Sequence, residues 1–219
     1  GSKALFATGF TIVFGIVMLN GLFYRGTLTL LPEILTTMLD PLVGDVQIFD
    51  PDSPMAEEFE PSRFFYTGLL MVGIGGQYVG GKLTERLATE WSLMVVLGSL
   101  SITALVFVPA AQASIISLAL ISALLGFLLF MIQPLYQATI AQYSPANARG
   151  LSYGFTYVGT FGIGAFGAAI TGIIYEGFGE FAMFTTLAGF ALLASLLSYS
   201  LLVGGYTGAS ASTAESTNE

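Results

Sequence analysis

The chain contains neither cysteine nor histidine among its 219 residues. Without cysteine it can form no disulfide, thiolate metal site or thiol nucleophile. Without histidine it lacks the usual general base, the commonest zinc ligand and the side chain that titrates near neutral pH. These absences exclude metalloprotease and histidine-dependent serine hydrolase chemistry, and no carboxylate pair suits aspartyl chemistry. We therefore expect that the protein is not an enzyme and holds no metal and no cofactor.

Charged residues are also scarce. They make up 9% of the chain, against about 25% in soluble domains, whereas hydrophobic residues make up 54%. This composition predicts a membrane protein, with the lipid bilayer as a partner and no nucleic acid. Together with the apolar runs described below, it predicts an all-α, polytopic, multi-pass protein of the cell membrane. A small-molecule substrate is expected from the repeat and the resemblance described below.

The net charge of −8 is concentrated between residues 37 and 63. Such an acidic surface with little lysine is typical of halophilic organisms. Asp50 and Asp52 in this segment lack the spacing and glycine of an EF-hand, so we interpret it as solvated surface. The acidic residues in it are Asp40, Asp45, Asp50, Asp52, Glu57, Glu58 and Glu60.

Six apolar stretches are each long enough to cross a bilayer, which takes about 20 residues. The predicted spans are about 4–36, 64–81, 91–109, 113–141, 150–175 and 181–203, so that residues 1–203 form one six-helix bundle. The first and fourth are long and carry Pro32 and Pro134, where a helix kinks or loses a hydrogen bond.

Basic residues indicate the orientation of these spans. Lys3, Lys82, Arg86 and Arg149 fall on one side, and Arg25 and Arg63 fall towards the other. This asymmetry predicts that both termini are cytoplasmic and that the acidic loop 37–63 is outside. Residues 204–219 are small and polar and are predicted to form a disordered cytoplasmic tail.

One segment occurs twice. Residues 64–87 (FFYTGLLMVGIGGQYVGGKLTERL) align without a gap on residues 155–178 (FTYVGTFGIGAFGAAITGIIYEGF), at an offset of 91 positions. The copies lie on spans two and five, and successive spans alternate in direction, so the two copies lie antiparallel across the membrane. This predicts two inverted three-helix repeats, spans one to three and four to six, an arrangement typical of secondary transporters.

Glycines within these spans predict close helix contacts. Gly76 and Gly80 form one GxxxG pair, Gly150 and Gly154 form another, and Gly159 follows on span five. Such glycines suit static packing as well as surfaces that slide during a transport cycle, and the sequence does not separate the two.

Residues 81–90, GKLTERLATE, resemble the cytoplasmic loop signature of the major facilitator superfamily. Gly81, Leu83, Glu85 and Arg86 fit its pattern Gly-x-Leu-x-Asp-Arg, with Glu in place of Asp, whereas residues 88–90 depart from its distal basic part. Residues 20–35 and 144–179 resemble the first helix and the penultimate connection and helix of a C-terminal half. The resemblance implies the C-terminal six-helix half of a transporter whose N-terminal six-helix half is missing, and which moves a small polar or anionic solute by alternating access. The alternative is a non-transporting six-helix scaffold or a pore-forming homodimer.

Polar residues within spans are candidates for a substrate cavity. Arg25 either snorkels at the outer headgroups or holds an anionic group of the solute, and Glu33, eight residues on, is expected at the outer mouth. Gln133 and Gln137 share one helix face; such groups either line a cavity or make hydrogen bonds between helices, and Tyr157 could instead be an interfacial anchor. The predicted cavity residues are Asn20, Tyr24, Arg25, Gln133, Tyr136, Gln137 and Tyr157.

Overall fold

The computed structural model describes residues 2–43, 61–144 and 149–206, and this part of the chain contains helices and no strand. The all-α prediction is therefore confirmed. The helices are α1 (Ser2–Val43), α2 (Pro61–Arg86), α3 (Thr89–Ala111), α4 (Ile115–Gln142), α5 (Arg149–Tyr157) and α6 (Phe166–Gly204), and a π-helical segment, Val158–Ile163, joins α5 to α6.

Within the described residues, four helical stretches are long and apolar enough to cross a membrane, which fits a membrane protein. They are Thr8–Leu39, Thr89–Ala111, Ile115–Gln142 and Arg149–Gly204. Helix α2 is not among them, because its glycines and polar residues lower its hydropathy.

The last of these stretches is interrupted at Gly179. Its φ of 81° and ψ of −179° are not helical and are open essentially only to glycine. The 56 residues of Arg149–Gly204 would span roughly 84 Å as one straight helix, far more than the ~30 Å of a bilayer core. We therefore divide α6 into α6a (166–178) and α6b (180–204).

Contacts give the relative directions of the helices. Ser101 Oγ donates to the Ala188 carbonyl and Ser195 Oγ donates to the Met94 carbonyl, both at 2.8 Å. Residue numbers thus rise in α3 as they fall in α6b, so these two helices are antiparallel. A three-residue turn, 112–114, joins α3 to α4, which are antiparallel as well.

Contacts of glycine residues identify two pairs of helices that are parallel. Along α2, Gly76 meets Phe127 and Gly80 meets Met131 of α4, so these two helices are parallel. In the same way, Gly21 meets Thr160 and Gly26 meets Thr171, so α1 is parallel to the 158–178 segment. The start of α1 meets the end of α4, where Gly9 packs on Tyr143, so α1 and α4 are antiparallel.

These close contacts occur in reciprocal couples. In each, the backbone of a glycine lies against a backbone carbonyl of the facing helix, and the four contacts are Gly76 with Phe127, Gly167 with Leu22, Gly126 with Leu69, and Gly21 with Thr160. Residues of α2 correspond to residues of the 158–178 segment at an offset of 91, and residues of α1 correspond to residues of α4 at an offset of 105. These two offsets convert the contact of Gly76 with Phe127 into that of Gly167 with Leu22. They likewise convert the contact of Gly126 with Leu69 into that of Gly21 with Thr160.

The serine contacts obey the same kind of rule. Ser101 and Ser195 are 94 positions apart, and so are their acceptors Met94 and Ala188. An offset of 94 between α3 and α6b therefore converts the Ser101–Ala188 hydrogen bond into the Ser195–Met94 hydrogen bond. Near one end of this interface the rings of Phe107 and Phe184 stack, with centroids 4.2 Å apart.

Several observed boundaries differ from the predicted ones. Helix α1 continues to Val43, past Pro32 and Pro41, and α2 begins at Pro61, so the predicted loop 37–63 is too long at both ends. Pro134 likewise lies within a continuous α4. Helix α6 ends at Gly204, and Gly205, with a φ of 60°, forms its left-handed C-cap. Asp50, Asp52 and the predicted tail beyond residue 206 lie outside the described residues.

Candidate functional site

Arg25 lies near the middle of the apolar part of α1. At about 1.5 Å per residue it is roughly 25 Å from Thr8 and roughly 21 Å from Leu39. Because α1 is longer than the sequence indicated, this position is more central than expected. It is unfavourable for a guanidinium that has to reach the headgroups, and favourable for one that faces a cavity. Glu33, further along the same helix, is exposed.

The Arg25 guanidinium lies over an aromatic ring. Its central carbon is 5.2 Å from the centroid of Phe161, within the range of cation–π attraction. Phe161 in turn stacks on Tyr157, with centroids 5.8 Å apart and ring planes 15° from parallel. The predicted cavity residues Arg25 and Tyr157 are therefore neighbours, joined by Phe161, which the sequence did not single out.

A local change of helix geometry presents Phe161 to Arg25. The Gly164 N–H donates to the Gly159 carbonyl, five residues back, at 3.0 Å. The next turn is tight, because Gly167 donates to the Gly164 carbonyl, only three residues back, at 2.9 Å. The wide turn and the tight turn compensate, so the helix keeps its register on α1. Such π turns frequently mark functional sites.

An amide pair lies on the neighbouring helices. Gln77 Nε2 of α2 donates to Gln133 Oε1 of α4 at 3.3 Å, and the Tyr24 hydroxyl interacts with the same Gln133 side chain. The Tyr24 ring meets Phe130 edge-on at 6.0 Å. The structure thus brings together the predicted residues Tyr24 and Gln133 and adds Gln77. We call Tyr24, Arg25, Gln77, Gln133, Tyr157 and Phe161 the polar face.

The remaining predicted cavity residues lie at the border of the polar face or behind it. The Tyr136 hydroxyl interacts with the side chain of Gln137, one residue on, and Tyr153 donates to the Gln137 carbonyl at 3.1 Å. Asn20 is buried, and within the described part of the chain its side-chain oxygen has no hydrogen-bond partner. Asn20 therefore belongs to the interior rather than to the exposed side of α1.

The predicted signature loop is helical. Gly81, Leu83, Glu85 and Arg86 form the last turns of α2, and only residues 87 and 88 separate α2 from α3. Glu85 is exposed and pairs with Lys82 at 3.3 Å, whereas Leu83 packs against the core. The connection is thus a two-residue corner and not the longer loop 82–90 that the sequence predicted.

The predicted packing glycines have different surroundings. Gly76 and Gly80 are buried against α4, and Gly159 is buried against Phe14, whose ring would lie 2.9 Å from an added Cβ. Gly150 and Gly154 are instead exposed, and a Cβ on either would meet nothing within 4 Å. The second GxxxG pair therefore makes no helix contact within the described residues.

A buried carboxylate is the main feature that the sequence did not predict. Glu90, the second residue of α3, is only 6% exposed. Its Oε1 accepts hydrogen bonds from Gln142 Nε2 at 2.8 Å and from the Tyr143 hydroxyl at 2.9 Å. The Thr89 hydroxyl donates to Gln142 Oε1 at 2.8 Å. These contacts tie the start of α3 to the end of α4, and we call the four residues the Glu90 cluster.

The protonation state of Tyr143 suits this role. Burial, and then the hydrogen bond to the Glu90 carboxylate, raise the pKa of Tyr143 above its ordinary value near 10. The hydroxyl therefore keeps its proton throughout the physiological pH range and remains a donor. Tyr143 also packs on Gly9, so the Glu90 cluster lies where α1, α3 and α4 meet.

Comparison of the chain with protein-family models, curated proteins and solved structures gave no match. The part of the chain that the structure describes is all-helical, and its four long apolar helical stretches fit the class of membrane proteins.

Proposed function

We propose that the chain is part of a secondary active transporter that moves a small polar or anionic solute by alternating access. The polar face carries this proposal. A guanidinium costs about 2.5–3.5 kcal/mol or more at the centre of a bilayer, so an exposed Arg25 in the middle of an apolar helix requires water or protein beside it. A solute cavity supplies both.

Six membrane crossings fit the helix directions. Helix α2 is parallel to α4 and, with 26 residues, is roughly 39 Å long, enough to cross despite its lower hydropathy. The break at Gly179 divides the last helical stretch, and we infer that 149–178 and 180–204 are two further crossings. The inferred crossings then alternate in direction along the chain, with both termini on one side, which we propose is the cytoplasmic side of the cell membrane.

The reciprocal contacts support inverted repeats. By the offsets of 105, 91 and 94, α1 corresponds to α4, α2 corresponds to 158–178, and α3 corresponds to α6b. The two members of each corresponding pair run in opposite directions. This is the relation expected of two three-helix units around an axis in the membrane plane. It is the arrangement that the resemblance to the major facilitator superfamily implies.

The polar face also indicates a missing partner. Tyr157 and Phe161 of the polar face are about half exposed, and other aromatic residues of α2 and of 149–178 are exposed by more than half. We propose that a second, N-terminal six-helix half of the complete protein covers this side and encloses the cavity. A second copy of this chain in the same place would instead make a pore, the alternative function.

Loss of the Arg25 charge is expected to lower uptake of an anionic solute by about 10-fold to 150-fold. A hydrogen bond to a charged group is worth about 1.5–3 kcal/mol, and every 1.4 kcal/mol is tenfold. The measurement is uptake of labelled organic anions by cells that express the complete gene product, as wild type or Arg25→Ala. Arg149→Ala is the matched control, because Arg149 is exposed outside the polar face, and uptake should be unchanged.

Two outcomes contradict the proposal. Saturable uptake of an anion that is equal in wild type and Arg25→Ala removes Arg25 from the solute site. Flux that rises linearly with solute concentration, without saturation or counterflow, favours the pore-forming homodimer.

A further inference from the structure

The guanidinium of Arg25 is free to bind an anion. Among the residues that the structure describes, no carboxylate pairs with it, and none of its N–H donors makes a hydrogen bond; its contact is the face of Phe161. Contact with the ring satisfies none of the guanidinium's five N–H donors with an acceptor atom, and these donors match a carboxylate bidentately.

Two stacked rings lie beside this guanidinium. Phe161 is 48% exposed and Tyr157 is 53% exposed, so each ring keeps surface that the described helices do not cover. Contact with lipid alone does not require aromatic rings, since aliphatic side chains face lipid equally well. An aromatic pair differs from them in stacking on a further ring, which contributes about 0.5–1.5 kcal/mol beyond the area buried.

The charges around the site select against cations and zwitterions. The other groups of the polar face are neutral: the amides of Gln77 and Gln133 and the hydroxyl of Tyr24. Glu33, the next acidic residue after Arg25 along α1, is eight residues on, roughly 12 Å along the axis. An ammonium group would therefore find no carboxylate partner on the polar face, whereas an acid group finds Arg25.

From these three observations we propose that the solute is an organic anion that carries an aromatic ring. Its carboxylate binds the edge of Arg25, and its ring stacks on Phe161 and Tyr157. Neutral polar substituents of the ring reach the amide pair of Gln77 and Gln133. This inference rests on the proposed function and names the substrate class of the same site.

The test compares two anions of similar size, benzoate and cyclohexanecarboxylate, with benzylamine as the cationic counterpart of benzoate. Binding is measured by calorimetry on the complete gene product in lipid nanodiscs. Wild type is expected to bind benzoate about 3–10-fold more tightly than cyclohexanecarboxylate, the fold-change of the stacking contribution. Benzylamine is expected not to bind.

Variants separate the two halves of the site. The double variant Phe161→Leu with Tyr157→Leu should bind both anions with equal affinity, whereas Phe161→Trp should keep or increase the preference for benzoate, because tryptophan is the best cation–π and stacking partner. Arg25→Gln should weaken both anions. Phe166→Leu is the control: Phe166 is 63% exposed three residues after the π segment, and the preference should be unchanged.

The outcomes distinguish this inference from the proposed function. Equal binding of the two anions by wild type, with both lost in Arg25→Gln, overturns the aromatic preference and leaves an anion transporter. A preference for benzoate that survives in the double variant Phe161→Leu with Tyr157→Leu overturns the placement of the ring. Binding of benzylamine and of neither anion overturns both proposals.

Discussion

Alanine at Gly76 or at Gly167 is expected to destabilise the folded protein by about 3 kcal/mol at either position. A Cβ on Gly76 would collide with the carbonyl oxygen of Phe127, and a Cβ on Gly167 would collide with that of Leu22. Backbone cannot move aside as the end of a flexible side chain can, so the helices have to separate and lose packing on both sides. Because the two contacts are reciprocal, the losses should agree within about 1 kcal/mol. The measurement is unfolding of the purified protein in mixed micelles.

The chain provides a matched control for this pair. Gly81 and Gly172 are likewise 91 positions apart, each five residues beyond its tested glycine, and a Cβ on either would meet nothing within 4 Å. Gly81→Ala and Gly172→Ala should leave stability unchanged or raise it by up to about 1 kcal/mol through helix propensity. An equal loss at all four positions would show that the close contacts do not exist.

Removal of the Glu90 carboxylate is expected to cost about 3 kcal/mol. In Glu90→Ala the buried donors of Gln142 and Tyr143 lose their acceptor, and each unsatisfied group costs about 1–3 kcal/mol. Glu90→Gln keeps the size and an acceptor oxygen, so it should cost less than half as much. The measurement is again the free energy of unfolding in mixed micelles.

Glu85→Ala is the control for the Glu90 cluster. Glu85 is exposed, and its ion pair with Lys82 is of the kind that contributes about 0–1 kcal/mol. Stability should therefore change little in this variant. If Glu90→Ala and Glu85→Ala behave alike, the burial of the Glu90 carboxylate is wrong.

The sequence predicts the helices and part of their packing because both depend on local pattern. Apolar runs indicate where helices form, and glycines spaced like Gly76 and Gly80 allow a close approach. The same spacing does not tell which glycines find a partner. Gly150 and Gly154 repeat it on α5, where Ser152 and Thr156 are the only buried residues, and they remain exposed.

The site was less predictable because it depends on contacts between distant segments. In the sequence, Glu90 is one of the residues that depart from the loop signature. Its burial depends on Gln142, 52 positions further on, which reaches the start of α3. The π turn under Phe161 results from a shift of backbone hydrogen bonds within a glycine-rich stretch, which leaves no periodic pattern. By contrast, the sequence alone singles out Arg25 and Gln133 as candidates, since polar residues in apolar helices are rare.

We propose that the polar face lines a cavity that opens in turn to each side of the membrane. Because the chain has no cysteine, one introduced thiol can report on it. Gln137 is exposed on the same face of α4 as Gln133, and Leu124 is exposed on about the opposite side of that helix. The measurement is labelling of Gln137→Cys and of the control Leu124→Cys by a membrane-impermeant thiol reagent, applied from either side of vesicles that hold the complete gene product without other cysteines. We expect Gln137→Cys to be labelled from both sides of the vesicles, and solute to change the ratio of the two labelling rates. Leu124→Cys is expected to be labelled from neither side. Equal resistance of both variants, or labelling of Gln137→Cys from one side at a rate that solute does not change, would contradict it.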